Sequence, residues 1–263
     1  MEKRKVVITL SNYHFEATVI SRGKGRSLAK SLNYITGERV RDSYLGKTYY
    51  SKRDDVLMQK IYLPENVPTH FNNLQSLCDE MDKCEKRCDA RTARAFVGSL
   101  PNELPYDSLE HIVSFFIKEC FTSRGICAIA AIHEGRNDAD PSKNNPHVHI
   151  ITATRTADEN GFSRNKCREY DNKEYLRYWR KQWELAQNRA YSHNGRDERV
   201  SCKSYKDRDI IKLKPIRHRS RIDWQKELEG LNTLKDDINR AIKKARQRKA
   251  ERERDELSRQ RSR

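Results

Sequence analysis

Three histidines between residues 128 and 155 constrain the fold of this chain more than any other feature. His147 and His149 are separated by one residue in the run HVHIITAT, which favours a β-strand, so both imidazoles point to one face of the sheet. A second apolar run, ICAIAAIHE, ends near His133, and the intervening GRNDADPSKNNP is rich in turn-forming residues. If the two runs pair as a β-hairpin, His133 lies opposite the other two histidines.

Three convergent imidazoles predict a divalent-metal site. Imidazole is a common ligand of divalent metals, and three protein ligands leave open coordination positions, as catalytic sites do. A single His-x-His pair in a strand is more often an ordinary solvated strand face. His133 on the neighbouring strand favours metal binding, provided that the two strands pair in the assumed register.

The charge of the chain indicates a polyanionic partner. The 263 residues include 54 Lys and Arg against 38 Asp and Glu, a net charge of +16. Basic residues that neutralise phosphates release counterions and give a salt-sensitive affinity. No run approaches the ~18 apolar residues that span a bilayer. The seven cysteines lack paired short spacings, so we expect free thiols in a cytosolic protein.

A candidate nucleophile precedes the histidines. Ser27 is a candidate N-cap for the helix LAKSLNYITGE, in which Leu28, Leu32 and Ile35 share one narrow apolar stripe. Tyr34 lies off that stripe, on the polar side of the helix. A helical tyrosine usually fills a core, but this one lies beside a basic loop and a helix N-terminus that can hold phosphate. Its position therefore favours a functional role.

Two basic segments are candidates for DNA contacts. The first is the glycine-containing loop SRGKGRS with the first turn of the helix that follows it. The second is a helix predicted over residues 169–194, whose aromatic and basic side chains could stack bases and follow a DNA backbone. The spacing of Trp179 and Trp183 fits a core-facing helix equally well. The candidate DNA-binding residues are Arg22, Lys24, Arg26, Lys30, Arg177 and Arg180.

The remaining pattern predicts an α+β fold. VLMQKIYLP and RAFVGSLP are typical of strands, residues 69–93 show a long helical pattern, and LPYDSLEHIVSFFIKECFTS is an amphipathic helix. Strands and helices in this order predict one sheet covered by helices. We expect a single domain over residues 1–215, followed over residues 216–263 by a basic tail that is helical or partly disordered.

A histidine-bound metal, an off-core tyrosine and a basic surface together suggest phosphodiester transesterification. A phenol with a pKa of about 10 is a poor nucleophile at neutral pH. A divalent cation on the non-bridging oxygens would polarise the phosphorus and stabilise the charge that develops during attack. The resulting phosphotyrosine keeps the energy of the phosphodiester, so the reaction can run backwards.

Several motifs occur in a specific order between about residues 15 and 208: SRGKGRS, AKSLNYITGERVRD, YLPENVP, the DARTAR…LPNELP block, AIHE, NNPHVHI and WRKQWELAQN…GRDERVSCKSY. In this order and spacing the chain resembles the MobA/MobL relaxases of the His-hydrophobe-His endonuclease superfamily. The resemblance places Tyr34 at the family's nucleophile and His133, His147 and His149 at its metal ligands, with Mn²⁺ or Mg²⁺ as the usual metal. It implies a central antiparallel β-sheet flanked by helices.

The resemblance also implies a function in conjugative mobilisation. Such proteins nick one strand at a plasmid origin of transfer, become attached to its 5′ end and rejoin it after transfer. The implied partners are single-stranded origin DNA, accessory mobilisation proteins and a secretion coupling protein, in the bacterial cytoplasm and without membrane insertion. Many relatives carry acidic residues in the strand before the LP turn, where this chain has Ala95 and Val97. Glu134 or Asp138 are candidates to support the histidines instead.

Two other functions fit the same residues. A rolling-circle replication initiator shares the histidine motif but places its tyrosine after it, with Tyr175 and Tyr178 as candidates. A non-catalytic basic nucleic-acid-binding protein would use the histidines only structurally. The position of Tyr34 before the histidines favours mobilisation over replication.

Overall fold

Five antiparallel strands form the central sheet of the protein, which we describe from a computed structural model covering residues 11–204 and 207. The order of strands across this sheet is β1-β5-β7-β6-β4, and two short two-stranded ribbons, β2–β3 and β8–β9, lie outside it. The strands are β1 (Phe15–Ser21), β2 (Val40–Asp42), β3 (Lys47–Tyr49), β4 (Val56–Tyr62), β5 (Arg91–Ser99), β6 (Ala128–His133), β7 (His147–Ala153), β8 (Ala157–Asp158) and β9 (Gly161–Phe162). The α-helices are α1 (Leu28–Thr36), α2 (Leu74–Lys83), α3 (Tyr106–Cys120) and α4 (Lys173–His193).

Helices cover both faces of the sheet. On one face, Phe96 of β5 and Ile150 of β7 pack against α3 and α4, and we call it the α3–α4 face. On the other, Ala93 of β5 and Ile151 of β7 pack against α1 and α2, and we call it the α1–α2 face. Successive side chains of a strand point to opposite faces, so both faces are built by the same strands. The predicted α+β class with a central antiparallel sheet is confirmed.

The helix predicted over residues 69–93 is wrong beyond residue 83. Helix α2 ends at Lys83, and β5 already begins at Arg91. Between them Glu85 is buried. Its carboxylate accepts a hydrogen bond from Arg155 Nε at 3.0 Å and forms an ion pair with Lys166 Nζ at 2.6 Å. These contacts with residues distant in the sequence stabilise a non-helical conformation of the segment, although its local composition favours a helix.

Helix α1 is fixed at both ends. Ser27 Oγ accepts a hydrogen bond from Lys30 N at 3.0 Å, as expected of an N-cap, and donates one to Asp42 Oδ2 at 2.5 Å. Gly37 ends the helix with a φ of 73°, a left-handed conformation that glycine adopts without strain. Tyr34 therefore occupies the last turn of a well-defined helix.

No helix in the described part of the chain is long and apolar enough to cross a bilayer. The tail expected over residues 216–263 lies outside the described residues.

Candidate active site

The three histidines lie together at one end of the β6–β7 hairpin. These strands pair antiparallel, with His133 opposite His147 and Ala131 opposite His149. The ring centroid of His133 lies 5.4 Å from that of His147 and 4.6 Å from that of His149. The potential ligand atoms of all three histidines lie within 4.8 Å of one another. The hairpin places the histidines together, as the alternating pattern predicts.

Backbone carbonyls orient two of the three rings. His133 Nε2 lies 2.8 Å from Ile35 O in α1, and His147 Nδ1 lies 2.8 Å from Asn145 O. A carbonyl oxygen only accepts, so these nitrogens carry the proton and the opposite nitrogens keep a lone pair. Within the described residues, the buried His133 Nδ1 and His149 Nε2 have no hydrogen-bond partner. Three neighbouring rings with ring nitrogens available as ligands fit a divalent metal ion.

Burial keeps His133 and His149 neutral. Desolvation lowers the pKa of His149 to about 3 and lowers the pKa of His133 in the same direction, and the neighbouring histidines add to the effect. Neutral imidazole is the form that ligates a metal. The site can therefore accept a cation at neutral pH without first losing protons from these two rings.

Tyr34 lies beside the histidines. Its ring centroid is 5.6 Å from that of His149 and 6.2 Å from that of His133, and 53% of the residue is exposed. Tyr175 and Tyr178 pack instead against the core on the α3–α4 face. Of the three tyrosines considered as nucleophiles, Tyr34 is therefore the one on the same face of the sheet as the histidines.

Arg53 and Asp55 also belong to the site, although no sequence pattern indicates them. The Arg53 guanidinium lies 4.8 Å from the Tyr34 ring centroid and donates a hydrogen bond to Tyr34 O at 3.1 Å. It binds Asp55 through Nε–Oδ1 at 2.8 Å and Nη2–Oδ2 at 2.5 Å, and this lowers the pKa of Asp55 to about 2. The segment SKRDD has no periodic or motif signal that would have revealed this contact.

The predicted supporting carboxylates lie outside the histidine cluster. Glu134 forms an ion pair with Arg136 at 2.6 Å, and Asp138 is exposed in the β6–β7 connection. In the described ranges, the metal-type cluster contains histidines alone. Ile35 O and Asn145 O orient the rings of His133 and His147 without an acidic side chain at position 95 or 97.

The structure divides the predicted DNA-binding residues into three groups. Lys24 and Arg26 are exposed on the basic loop before α1, and Lys30 is exposed on the first turn of α1, the helix that carries Tyr34. Arg22 is turned inward, because its guanidinium binds Asp82 at 2.8 Å and its side chain is only 9% exposed. The third group, Arg177 and Arg180, is exposed on α4, the helix that packs on the opposite face of the sheet.

The fold and the site together define a class of protein, in which an antiparallel sheet carries a three-histidine metal-type site beside a helical tyrosine. The sequence model of the MobA/MobL family matches residues 26–222. The chain belongs to the MobA/MobL family, so the resemblance that its motifs indicate is confirmed.

Individual relatives agree with this assignment. The chain is 34% identical over 147 residues to the probable mobilization protein MobA of Bifidobacterium longum (strain NCC 2705), covering 56% of this chain and 25% of that protein. It is 24% identical over 234 residues to the mobilization protein MobL of Acidithiobacillus ferridurans, covering 78% of this chain and 61% of that protein. The chain thus spans a quarter of the length of the first relative.

A solved structure has a similar fold. It is described as "Molecular Basis of Vancomycin Resistance Transfer in Staphylococcus aureus", and it superposes with a TM-score of 0.66 at 26% sequence identity. The match covers 74% of this chain and 100% of the other.

Proposed function

We propose that this protein nicks and rejoins one strand of plasmid DNA at an origin of transfer, with Tyr34 as the nucleophile. The observation that carries the proposal is the position of the Tyr34 ring, 5.6 Å from His149 and 6.2 Å from His133 between ring centroids. Membership of the MobA/MobL family and relatives described as mobilization proteins support it. We assign the activity to residues 1–215, with residues 216–263 as a basic appendage.

In the proposed reaction, the Tyr34 hydroxyl attacks the scissile phosphorus. A bond forms between the phenolic oxygen and phosphorus while the bond from phosphorus to the 3′ oxygen breaks. The tyrosine loses a proton and the released 3′ oxygen gains one, so the products are a 5′-phosphotyrosine and a free 3′ hydroxyl. One phosphodiester replaces another, and the same residues can therefore catalyse rejoining.

The histidines would hold a divalent ion, Mn²⁺ or Mg²⁺ in our proposal, whose charge would stabilise the phosphate oxygens during attack. The chain itself positions the reacting groups. His133 binds the carbonyl of Ile35, the residue next to Tyr34, so the histidine cluster and the nucleophile are joined through α1. Arg53 holds the carbonyl of Tyr34 itself.

The exposed cations of the α1 region would bind the DNA backbone. Lys24, Arg26 and Lys30 are candidates for phosphate contacts, which position a strand without reading its sequence. Arg177 and Arg180 would contact DNA only where the strand passes round to the other face of the sheet. The further partners in this proposal are accessory mobilisation proteins and a secretion coupling protein, in the bacterial cytoplasm.

Covalent adduct formation tests the proposal directly. Full-length protein with Mn²⁺ is incubated with end-labelled single-stranded oligonucleotides that tile the DNA flanking its own gene, and adducts are resolved on a denaturing gel. We expect one oligonucleotide to form an adduct with wild type, Tyr175→Phe and Tyr178→Phe, and none with Tyr34→Phe. An adduct that persists in Tyr34→Phe and is lost in Tyr175→Phe or Tyr178→Phe would identify the replication-initiator arrangement.

Metal binding distinguishes the enzyme from a non-catalytic DNA-binding protein. We expect calorimetry with Mn²⁺ to show one site in wild type and none in the His147→Ala/His149→Ala double variant. Adduct formation should require the added metal. Unchanged binding in the double variant, with no adduct under any condition, would support a structural role for the histidines.

A further inference from the structure

A groove of about 440 Å³ runs between α1 and the central strands. Arg26, Lys30 and Tyr34 lie along its helical side, while Ala95 and Val97 of β5 line the side formed by the sheet. His149 also lines the groove, so the groove is continuous with the candidate active site. Among the described residues that line it there is no Asp or Glu, and its polar rim therefore carries only positive formal charge.

The floor of this groove is a partly exposed apolar surface in the interior of a sheet. Strand β5 lies between β1 and β7, and on its other face Phe96 is 1% exposed. Ala95 and Val97 nevertheless remain partly exposed, because the residues of α1 cover them only in part. Val97 pairs directly with His149, and Ala95 pairs with Ile151. The small, uncharged side chains of this strand leave open space next to the histidine cluster.

The groove offers both apolar and positively charged contacts, and a nucleotide has both a flat base and a charged phosphate. Its floor offers apolar contact to a flat ring, and its rim offers Arg26 and Lys30 to phosphates on either side of that ring. Its volume falls within the range of ~300–1,000 Å³ typical of small-molecule sites. A bare phosphate would find no hydrogen-bond donor on the side chains of Ala95 and Val97, and a metal ion would find only one histidine in the groove, His149.

We propose that the groove binds one unpaired nucleobase of the substrate strand, next to the phosphate that Tyr34 attacks. This inference rests on the proposed function and adds where the reacting strand is held. A base reaches the floor only when it is turned out of its stack, so the site selects single-stranded or locally melted DNA. Seating one base on the floor would fix the neighbouring phosphate in line with the tyrosine.

A scan with abasic nucleotides tests the inference in the wild-type protein. Identical single-stranded oligonucleotides, derived from the one that forms an adduct, each carry one abasic site within three nucleotides of the nick. We expect the rate of adduct formation to fall about tenfold for one position adjacent to the nick and by much less at the others. Equal rates for all these oligonucleotides would overturn the inference.

A variant that fills the floor locates the effect in the groove. Ala95→Leu places an apolar side chain where the base would lie, and we expect about a tenfold slower reaction with intact DNA. On the sensitive abasic oligonucleotide the variant should cause no further loss, because the two changes remove the same contact. Thr48→Leu adds similar bulk on the exposed strand β3, outside the groove, and should react like wild type. Melting temperature and Mn²⁺ binding verify that each variant folds.

The outcomes separate this inference from the proposed function. If Ala95→Leu slows the reaction equally on intact and abasic DNA, the base is held elsewhere and the inference fails, while Tyr34-dependent adducts still support the function. If Ala95→Leu does not fold, the scan with wild type still decides whether a base next to the nick is bound. If wild type forms no adduct with any oligonucleotide, both the function and this inference fail.

Discussion

The two faces of the central sheet differ in what their side chains do, although the same strands build both. On β7, Val148 and Ile150 point to the α3–α4 face and are fully buried, while His147 and His149 alternate with them and point to the α1–α2 face. On the first face the helices seal the sheet. On the second they leave Tyr34 exposed and His147 and His149 partly exposed, while His133 is buried. The pleat of a strand thus places the side chains of the aromatic core and those of the candidate active site on opposite faces of the sheet.

The sealed face is packed with aromatic rings. The ring centroids of Phe116 and Trp183 lie 5.1 Å apart and those of Phe96 and Trp179 lie 5.0 Å apart, both with edge-to-face geometry. Such pairs add to the gain from burying their apolar area. We therefore expect the free energy of unfolding to depend mainly on this face and adduct formation mainly on the other.

The largest loss of stability should come from the centre of the aromatic cluster. Trp183 is 0% exposed, and Trp183→Ala should lower the free energy of unfolding by about 3–5 kcal/mol because it leaves a large cavity. Urea denaturation measures the change. Leu185→Ala, on the same helix but 44% exposed, is the matched control and should change stability by less than ~0.5 kcal/mol. Equal losses in the two variants would contradict the comparison.

A smaller loss should follow from adding a single methyl group to the same face. A Cβ at position 98 would lie 2.8 Å from Cε2 and Cζ2 of Trp183, closer than carbon atoms approach. Gly98→Ala should therefore cost about 1–3 kcal/mol of unfolding free energy. Removing the indole should remove the clash, so the losses from Gly98→Ala and Trp183→Leu should not add in the double variant. Additive losses would mean that the strain lies elsewhere.

The parts of the fold and the site that depend on local periodicity could be predicted from the sequence. The two-residue period of HVHIITAT placed His147 and His149 on one face, and the helical period of LAKSLNYITGE placed Tyr34 off the core stripe. Contacts between distant segments could not be predicted. Arg53 reaches Tyr34 only because the chain returns beside α1 after the β2–β3 ribbon.

The face of the sheet against which α4 packs also could not be predicted from the sequence. Its aromatic residues fitted either a DNA-stacking surface or a core, and only the assembled sheet shows Trp179 and Trp183 buried on the α3–α4 face. The support of the histidines had no sequence signal either, since it comes from the main-chain carbonyls of Ile35 and Asn145. Any residue type can supply a carbonyl, so no motif marks such a partner.

On the accessible face, the Arg53–Asp55 pair should contribute only modestly to stability. The pKa of Asp55 is lowered to about 2 in the folded protein by its hydrogen bonds from Arg53. Its contribution is therefore fully present above the pKa of an unfolded aspartate, about 3.9, and is lost as the pH falls toward 2. Asp55→Asn should lower the free energy of unfolding by on the order of 1 kcal/mol at pH 7, because the pair is partly solvent-screened.

The measurement for this pair is urea denaturation at pH 7, 4.5 and 3. The gap between wild type and Asp55→Asn should be the same at the two higher values and should narrow at pH 3. Asp89→Asn, in the exposed Arg87–Asp89 pair, serves as the control and should match wild type at pH 7. A gap that widens on acidification would show that the pair opposes folding.

A change in stability smaller than these should come from replacing the proposed nucleophile, Tyr34. Tyr34→Phe keeps the ring that faces His149 and lies under Arg53, and it removes only the hydroxyl of a residue that is 53% exposed. We expect its free energy of unfolding to stay within ~0.5 kcal/mol of wild type while adduct formation is lost. Both quantities should be measured on one preparation. A loss of stability above ~1.5 kcal/mol would mean that the phenol supports the fold, and the missing adduct would then no longer identify the nucleophile.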